Sequence, residues 1–173
     1  MIKDINSNNS ALFFSIGQKV VYSSHGVGQV KDIETIDYGG SKLVFYVIEF
    51  TSQRMSIKVP VNKAAEKGLR AVSEPEALAG VFEVLKGKAI VLSGRNKTTK
   101  FTDYKQKLNS GSIIDLAEIV RDLYKSGAIN NSYSQKNIYD SAISRLANEL
   151  ALLKNVQVDQ MLADLETVLL ARA

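Results

Sequence analysis

The spacing of hydrophobic residues changes near residue 72, and this change divides the chain into two parts. Upstream, short runs rich in β-branched and aromatic residues alternate with turn-forming residues, which predicts β-strands. Downstream, apolar residues recur every three or four positions, which predicts amphipathic helices. We therefore expect an α+β protein with a small β-domain at residues 13–72 and a compact all-helical domain at residues 73–173. The expected strands are residues 18–23, 29–36, 43–50, 56–60 and 69–72.

Turn residues indicate how these strands are connected. Asp37–Ser41 contains the pair Gly39-Gly40, which is typical of a tight hairpin turn. The segment His25-Gly26-Val27-Gly28 predicts a second tight turn, with both glycines free to take positive φ. Pro60 lacks an N–H group, so it places residues 56–60 at a sheet edge or ends the strand there. Five short strands in about sixty residues predict a strongly bent SH3-like or Tudor-like barrel rather than a sandwich.

The helical part begins with Pro75, a residue favoured at the first helical position. A basic helix is expected from about Asn96 to Leu108, with Phe101 and Tyr104 on one face. Ser112 and Asp115 form a capping box for the next helix, which Gly127 is expected to stop. The last two helices are predicted to start at Ser134 and Asp159.

The distribution of charge singles out one segment. Residues 86–107 hold seven basic side chains and a single acid, Asp103, a net +6 in a chain whose total is +4. Residues 112–173 are net −2. Such a charge run is commonly just a solvated helix face. The low acid content and the position at the domain junction favour contact with a phosphate backbone instead.

The residue content gives little support to catalysis, metal binding or disulfide formation. The chain has no cysteine, so disulfides, thiolate metal sites and a thiol nucleophile are excluded, in keeping with a reducing cytoplasm. His25 is the only histidine and has no clustered carboxylates, which favours a turn residue over a catalyst or ligand. We expect neither an enzyme nor a cofactor. The polar residues 1–12 are interpreted as a flexible tail, and no apolar run is long enough for a signal peptide or membrane span.

Two groups of residues resemble the CarD/CdnL family of bacterial transcription regulators. The resemblance covers nearly the whole chain after the tail, and its most specific phrase is Leu116–Leu123 preceded by Asn109-Ser110-Gly111. The remaining matches are Phe14–Tyr22, His25-Gly26, Ile57–Pro60, Arg145-Leu146 and Glu149-Leu150.

This resemblance implies a non-enzymatic adaptor with two partners. In the family, the N-terminal domain binds the RNA polymerase β subunit by edge-strand pairing. The helical domain contacts promoter DNA at the upstream edge of the bubble and stabilises the open complex. A cytoplasmic monomer without a membrane or small-molecule partner is expected. The implied polymerase-binding residues are Thr35, Ile36, Ile57, Lys58 and Val59, and the implied DNA-binding residues are Arg95, Lys97, Lys100, Phe101 and Lys105.

One position departs from the family pattern. The family usually carries a tryptophan wedge near the start of the basic helix, where this chain has Lys97, and the chain contains no tryptophan. A lysine can neutralise phosphate, but it cannot unstack a base step. Phe101, four residues later, is either a smaller wedge or part of the core.

A second hypothesis remains open beside the adaptor. An SH3-like module that binds RNA or associates with the ribosome would share the small barrel and the basic segment, without any polymerase partner. Binding to the isolated β lobe of the polymerase distinguishes the two.

Overall fold

The computed structural model describes residues 13–90, 97–124 and 133–171, with residues 97–100 described as backbone. Five strands come first and five helices follow, which confirms the expected fold class. The strands are β1 Lys19–Tyr22, β2 Gly26–Tyr38, β3 Ser41–Phe50, β4 Met55–Pro60 and β5 Leu69–Ala71. The helices are α1 Ala77–Lys86, α2 Lys97–Ser110, α3 Ile113–Leu123, α4 Tyr133–Lys154 and α5 Val158–Leu170.

The strands form one antiparallel sheet in the order β4-β3-β2-β1-β5. A bulge between Val30 and Asp32 breaks the regular register of β2 against β3. Strand β1 pairs only with residues 26–29 of β2, so the rest of β2 has β3 on one side and no described strand on the other. Alternate residues on the inner face build the core of this domain, with Tyr46, Ile48 and Phe50 fully buried.

The two glycines of the first turn have different tasks. Gly26 has φ +81, as expected for a tight turn, because this left-handed region suits a residue without a side chain. Gly28 lies inside β2 and has no positive φ, so the prediction of a turn glycine is wrong at this position. A Cβ on Gly28 would lie 2.8 Å from Ile48 Cγ2 and 2.8 Å from Phe50 Cε1, so close packing requires the glycine.

The helices bury their apolar stripes on one another, as their periodicity predicts. Helix α3 packs against α4, and the remaining helices cover this pair. Ser112 Oγ accepts the Asp115 N–H at 3.3 Å, which confirms that Ser112 caps α3. Helix α3 ends at Leu123, and the predicted stop at Gly127 lies outside the described residues. Of the helices described, none has both the length and the apolar character required to cross a membrane.

Candidate binding surfaces

Strand β4 forms one edge of the described sheet. It pairs with β3 along its whole length, and no described strand lies on its outer side. Ile57 is half-buried and Val59 is 2% exposed, because both point to the domain core. Lys58 points to the opposite face and is exposed. An edge strand directs half of its peptide N–H and C=O groups outward, so β4 offers a row of these groups to another strand.

The face of the sheet that carries Lys58 combines charge with apolar surface. Lys58 Nζ lies 2.6 Å from Glu34 Oε2, and this ion pair is partly exposed. Cross-strand neighbours share a face, so the half-buried Phe45, opposite Pro60, belongs to it, while Val47, opposite Lys58, is buried beneath it. The edge of β4 therefore adjoins a surface on which a lysine, a glutamate and an apolar side chain lie together.

Thr35 and Ile36 lie on the part of β2 that pairs with β3 alone. Thr35 is opposite Val44 and Ile36 is opposite Leu43. Ile36 therefore shares the outer face with Lys58, and its neighbour Leu43 is 39% exposed. Thr35 is exposed on the other face. Ile36 and Lys58 thus share a face of the sheet but lie two strands apart, while Ile57 and Val59 contribute backbone rather than side chains at the β4 edge.

The basic segment forms helix α2 in its second half. Lys97 and Lys100 lie in the first turn of α2, and their side chains and Arg95 fall outside the described residues. Phe101 is half-buried against the helical core, and Lys105 Nζ stacks 4.7 Å above the centroid of its ring. Lys105 itself is exposed, so it can offer its charge to a phosphate.

Asp122 fixes α2 and the chain before it against α3. Its Oδ2 accepts the hydroxyl of Tyr104 on α2 at 3.3 Å, and its Oδ1 accepts the N–H of Ile90 at 3.0 Å. Arg121 Nε donates to the same Oδ1 at 2.7 Å. Burial makes the largest contribution to raising the pKa of Tyr104, and the charge of Asp122 makes the next largest. This hydroxyl therefore stays protonated and acts as a donor. Lys107 on α2 is also paired, with Glu118 on α3.

Glu149 joins the β-domain to the helices. It is 1% exposed, and its carboxylate accepts two hydrogen bonds from Arg70, at 2.7 Å on Oε1 and 2.8 Å on Oε2. The N–H and hydroxyl of Ser73 also donate to Oε1, at 3.0 and 2.7 Å. A buried carboxylate with this many donors has its charge well compensated.

Arg145, one helical turn before Glu149, makes a second connection. Its Nη1 donates to the carbonyl of Ser23 at 2.7 Å and to the carbonyl of Leu108 at 2.9 Å. Gly111 completes the junction with φ +79, and a Cβ there would lie 3.2 Å from Ser23 Cβ. This close approach gives the glycine of the Asn109-Ser110-Gly111 motif a structural reason.

Sequence reasoning missed these junction residues and Asp122 as functional positions. A signal existed in α4, where Arg145 and Glu149 interrupt an apolar stripe at a spacing of four. Charged residues on a buried stripe are expected to have partners. The partners of Glu149, Arg70 and Ser73, carry no comparable signal because they lie in a short strand and the segment after it, and those of Arg145 are main-chain carbonyls.

Two family models match the chain. Residues 14–73 match the CarD-like/TRCF RID domain, and residues 80–166 match the CarD C-terminal domain. The chain belongs to the CarD family. A curated relative is YdeB of Bacillus subtilis (strain 168), which is named as a candidate transcription factor. YdeB is 30% identical over 152 residues, which cover 86% of this chain and 97% of YdeB.

The regions that match the CarD family models include residues of the junction between the two domains. Arg70 lies within the first matched region, and Arg145 and Glu149 lie within the second. The residues that join the two parts therefore belong to the matched regions themselves. No group of three or more potential metal ligands occurs in the part of the chain that the structure describes.

Proposed function

We propose that this CarD family member is a transcription regulator that bridges RNA polymerase and promoter DNA. Residues 13–72 bind the polymerase β subunit, and the basic part of residues 73–173 binds DNA at the upstream edge of the bubble, which stabilises the open complex. Family membership supports the role in transcription regulation, and the match to the CarD-like/TRCF RID domain supports a partner in the transcription machinery. The outer edge of β4, on which no described strand lies, is the observation that carries the proposal.

The polymerase contact is a strand added to β4. Main-chain hydrogen bonds along Met55–Pro60 supply affinity, and side chains beside the edge supply specificity. Lys58 lies beside this edge, so a partner strand with an acidic side chain is complementary to it, while Ile36 lies two strands away on the same face of the sheet. Ile57 and Val59 hold the edge in place through their burial.

The DNA contact is made by α2 and the chain before it. The described part of this region presents the exposed side chains Lys88 and Lys105, and α2 begins at Lys97 with no acid in its first turn. An N-terminal helix turn without an acid favours an approaching phosphate, through its free N–H groups. Contacts of this kind read the backbone rather than the base sequence.

The junction fixes how the two contacts are related. Arg70 and the buried Glu149 form a two-pronged ion pair across it, and Arg145 binds carbonyls on both sides. A preset angle between the two surfaces reduces the ordering cost when the second partner binds. Because of this coupling, binding to the polymerase raises the local concentration of the basic helix at the upstream fork of the bubble.

A binding experiment with the full chain tests the proposal. The tagged protein is mixed with a bacterial extract that contains RNA and ribosomes and is supplemented with the purified β lobe of a bacterial polymerase, with and without nuclease treatment. Retention of the β lobe after nuclease treatment is the expected result. If the protein retains RNA or ribosomal particles and no β lobe, the alternative of a general nucleic-acid-binding module replaces the adaptor.

A further inference from the structure

A polar cleft of about 510 Å³ lies between the two parts of the molecule, and none of the residues that line it is among those proposed to contact polymerase or DNA. The turn between β1 and β2 forms one wall, residues 52–53 add a second, and α4 forms the third. Hydroxyl and amide groups dominate its lining. The residues that matter for its chemistry are Ser24, His25, Ser52, Asp140, Ser144 and Arg145.

In the described part of the chain, the guanidinium of Arg145 donates hydrogen bonds through one of its three nitrogens. Nη1 makes both of its hydrogen bonds, to Ser23 and Leu108. Within the described residues, the hydrogen bonds of the Arg145 guanidinium are those two, and none of the ion pairs there includes Arg145. The sole buried side-chain nitrogen or oxygen without a partner in the described part is His25 Nδ1, so Nε and Nη2 of Arg145 reach solvent.

We propose that this cleft binds a small phosphate-bearing molecule through the Nε–Nη2 edge of Arg145. Two parallel N–H groups on one edge of a guanidinium match two oxygens of an oxyanion. Ser24, Ser52 and Ser144 supply hydroxyl donors for further phosphate oxygens from the surrounding walls. The volume exceeds that of a bare ion and falls in the range of small-ligand sites, roughly 300–1,000 Å³.

The electrostatics of the cleft favour an anionic ligand. Burial lowers the pKa of Arg145, which means that the charged form lacks full compensation in its surroundings. A phosphate on the free edge would provide that compensation. Asp140 is the opposing charge in the lining, so it weakens anion binding and also offers a way to tune it.

His25 provides a direct reporter for the site. It is the only histidine of the chain, so its ring signals in an NMR spectrum are unambiguous. Burial and then the charge of Arg145 lower the pKa of His25. An anion bound to Arg145 cancels part of that charge, so the pKa of His25 is expected to rise toward its ordinary value.

The test is a titration of the full-length protein with pyrophosphate at constant ionic strength, followed by the ring signals of His25. A saturable shift and a raised pKa are expected, and no such shift is expected with chloride. Absence of saturation at millimolar pyrophosphate overturns the proposal. A shift caused by a short DNA duplex and not by pyrophosphate also overturns it, because the cleft would then be a DNA contact.

A matched pair of variants separates this binding from folding effects. Ser141 lies one turn before Arg145 and lines the same cleft, so Ser141→Glu places a carboxylate within reach of the free edge. Ser141→Gln has the same length without the charge. The glutamate variant should lose at least about tenfold in pyrophosphate affinity, as expected when a charge-assisted bidentate contact is occupied, while the glutamine variant keeps it. Equal affinities in the two variants contradict a role for Arg145.

A third variant gives a change in the opposite direction. Asp140→Asn removes the negative charge from the lining and leaves the hydrogen bonds of Arg145 untouched. Tighter pyrophosphate binding is expected, by roughly two- to fivefold for a charge at a solvated site. Unchanged or weaker binding places the anion elsewhere and overturns the site.

Discussion

Arg70 and Glu149 are 79 positions apart in the chain, and their side chains meet in a two-pronged ion pair of 2.7 and 2.8 Å. Arg70 belongs to the last strand of the sheet and Glu149 to the longest helix. Arg70 Nε also donates to the carbonyl of Gly111 at 2.7 Å. One guanidinium therefore contacts both α4 and the turn between α2 and α3. The sheet and the helices are consequently joined by buried polar contacts.

Loss of this ion pair should destabilise the whole molecule. Glu149→Ala removes this acceptor from Arg70 and Ser73. Because the Arg70 side chain is 30% exposed and keeps the carbonyls of Ala71 and Gly111, the cost should be about 1–3 kcal/mol, as for donors that lose their partner. Urea unfolding measures the free energy, and a single transition in the wild type is expected from the shared junction. Glu34→Ala is the control, because its pair with Lys58 is partly exposed and should cost at most about 1 kcal/mol.

Charge reversal at the β4 edge should weaken polymerase binding. Lys58→Glu replaces the cation beside the edge and places two acids close together with Glu34, so affinity for the β subunit falls while the fold persists. Lys19→Glu is the control, since Lys19 is also exposed and lies on β1, which β2 and β3 separate from β4. Binding to the β lobe is measured by calorimetry. Equal losses in both variants point to net charge rather than to the edge.

DNA binding by the free protein should be weak, nearly independent of sequence and steeply dependent on salt. With ~3–5 phosphate contacts, log affinity against log salt has a slope of about that size, because each contact releases counterions. Lys97→Glu together with Lys100→Glu should flatten the slope. Fluorescence anisotropy on two unrelated duplexes measures it. A slope unchanged by the double substitution removes these lysines from the interface.

The absent tryptophan should limit how strongly the protein holds the bubble open. Lys97→Trp introduces an apolar plane at the first position of α2, so the open complex should live longer on a given promoter. Lys97→Leu, which lacks the aromatic plane, is the control. An unchanged lifetime with tryptophan shows that position 97 does not face the fork.

Phe101 can be tested as a substitute wedge in the same assay. It is half-buried against the helical core under Lys105, so Phe101→Ala should cost about 1–3 kcal/mol of stability. If it also acts at the fork, the open-complex lifetime falls at a temperature where the variant remains folded. A stability loss with an unchanged lifetime makes Phe101 a core residue only.

Mild acid should destabilise the fold through His25. The folded-state pKa lies below the ordinary value of 6.5, because burial and then Arg145 disfavour the charged ring. Stability from the neutral ring is therefore fully present above pH 6.5 and declines as pH falls through 6.5 toward the folded-state pKa. His25→Gln should show a smaller decline in that window, measured by thermal unfolding. Identical pH profiles contradict the assignment to His25.

The local elements of this protein were predictable because they depend on short-range patterns. Alternation and turn residues specified the five strands, and the spacing of apolar residues specified α3 and α4 within a few residues. Ser112 could be recognised as a cap because its hydroxyl bonds a residue only three positions away. Gly28 was misread, since a tight turn and a crowded strand both favour glycine, and only the neighbouring strand distinguishes them.

The tertiary structure alone decided which charges meet and which remain free. Lys58 and Lys107 look alike in the sequence, yet Lys58 pairs with Glu34 on another strand of the sheet, while Lys107 pairs with Glu118 on the next helix. Arg70 and Arg145 likewise show no local sign that one closes an ion pair and the other retains an open edge. Sequence periodicity fixes which face of an element is buried, because it follows from the geometry of one strand or helix. Partners across the domain junction depend on how separate elements pack, and no short stretch of sequence contains that information.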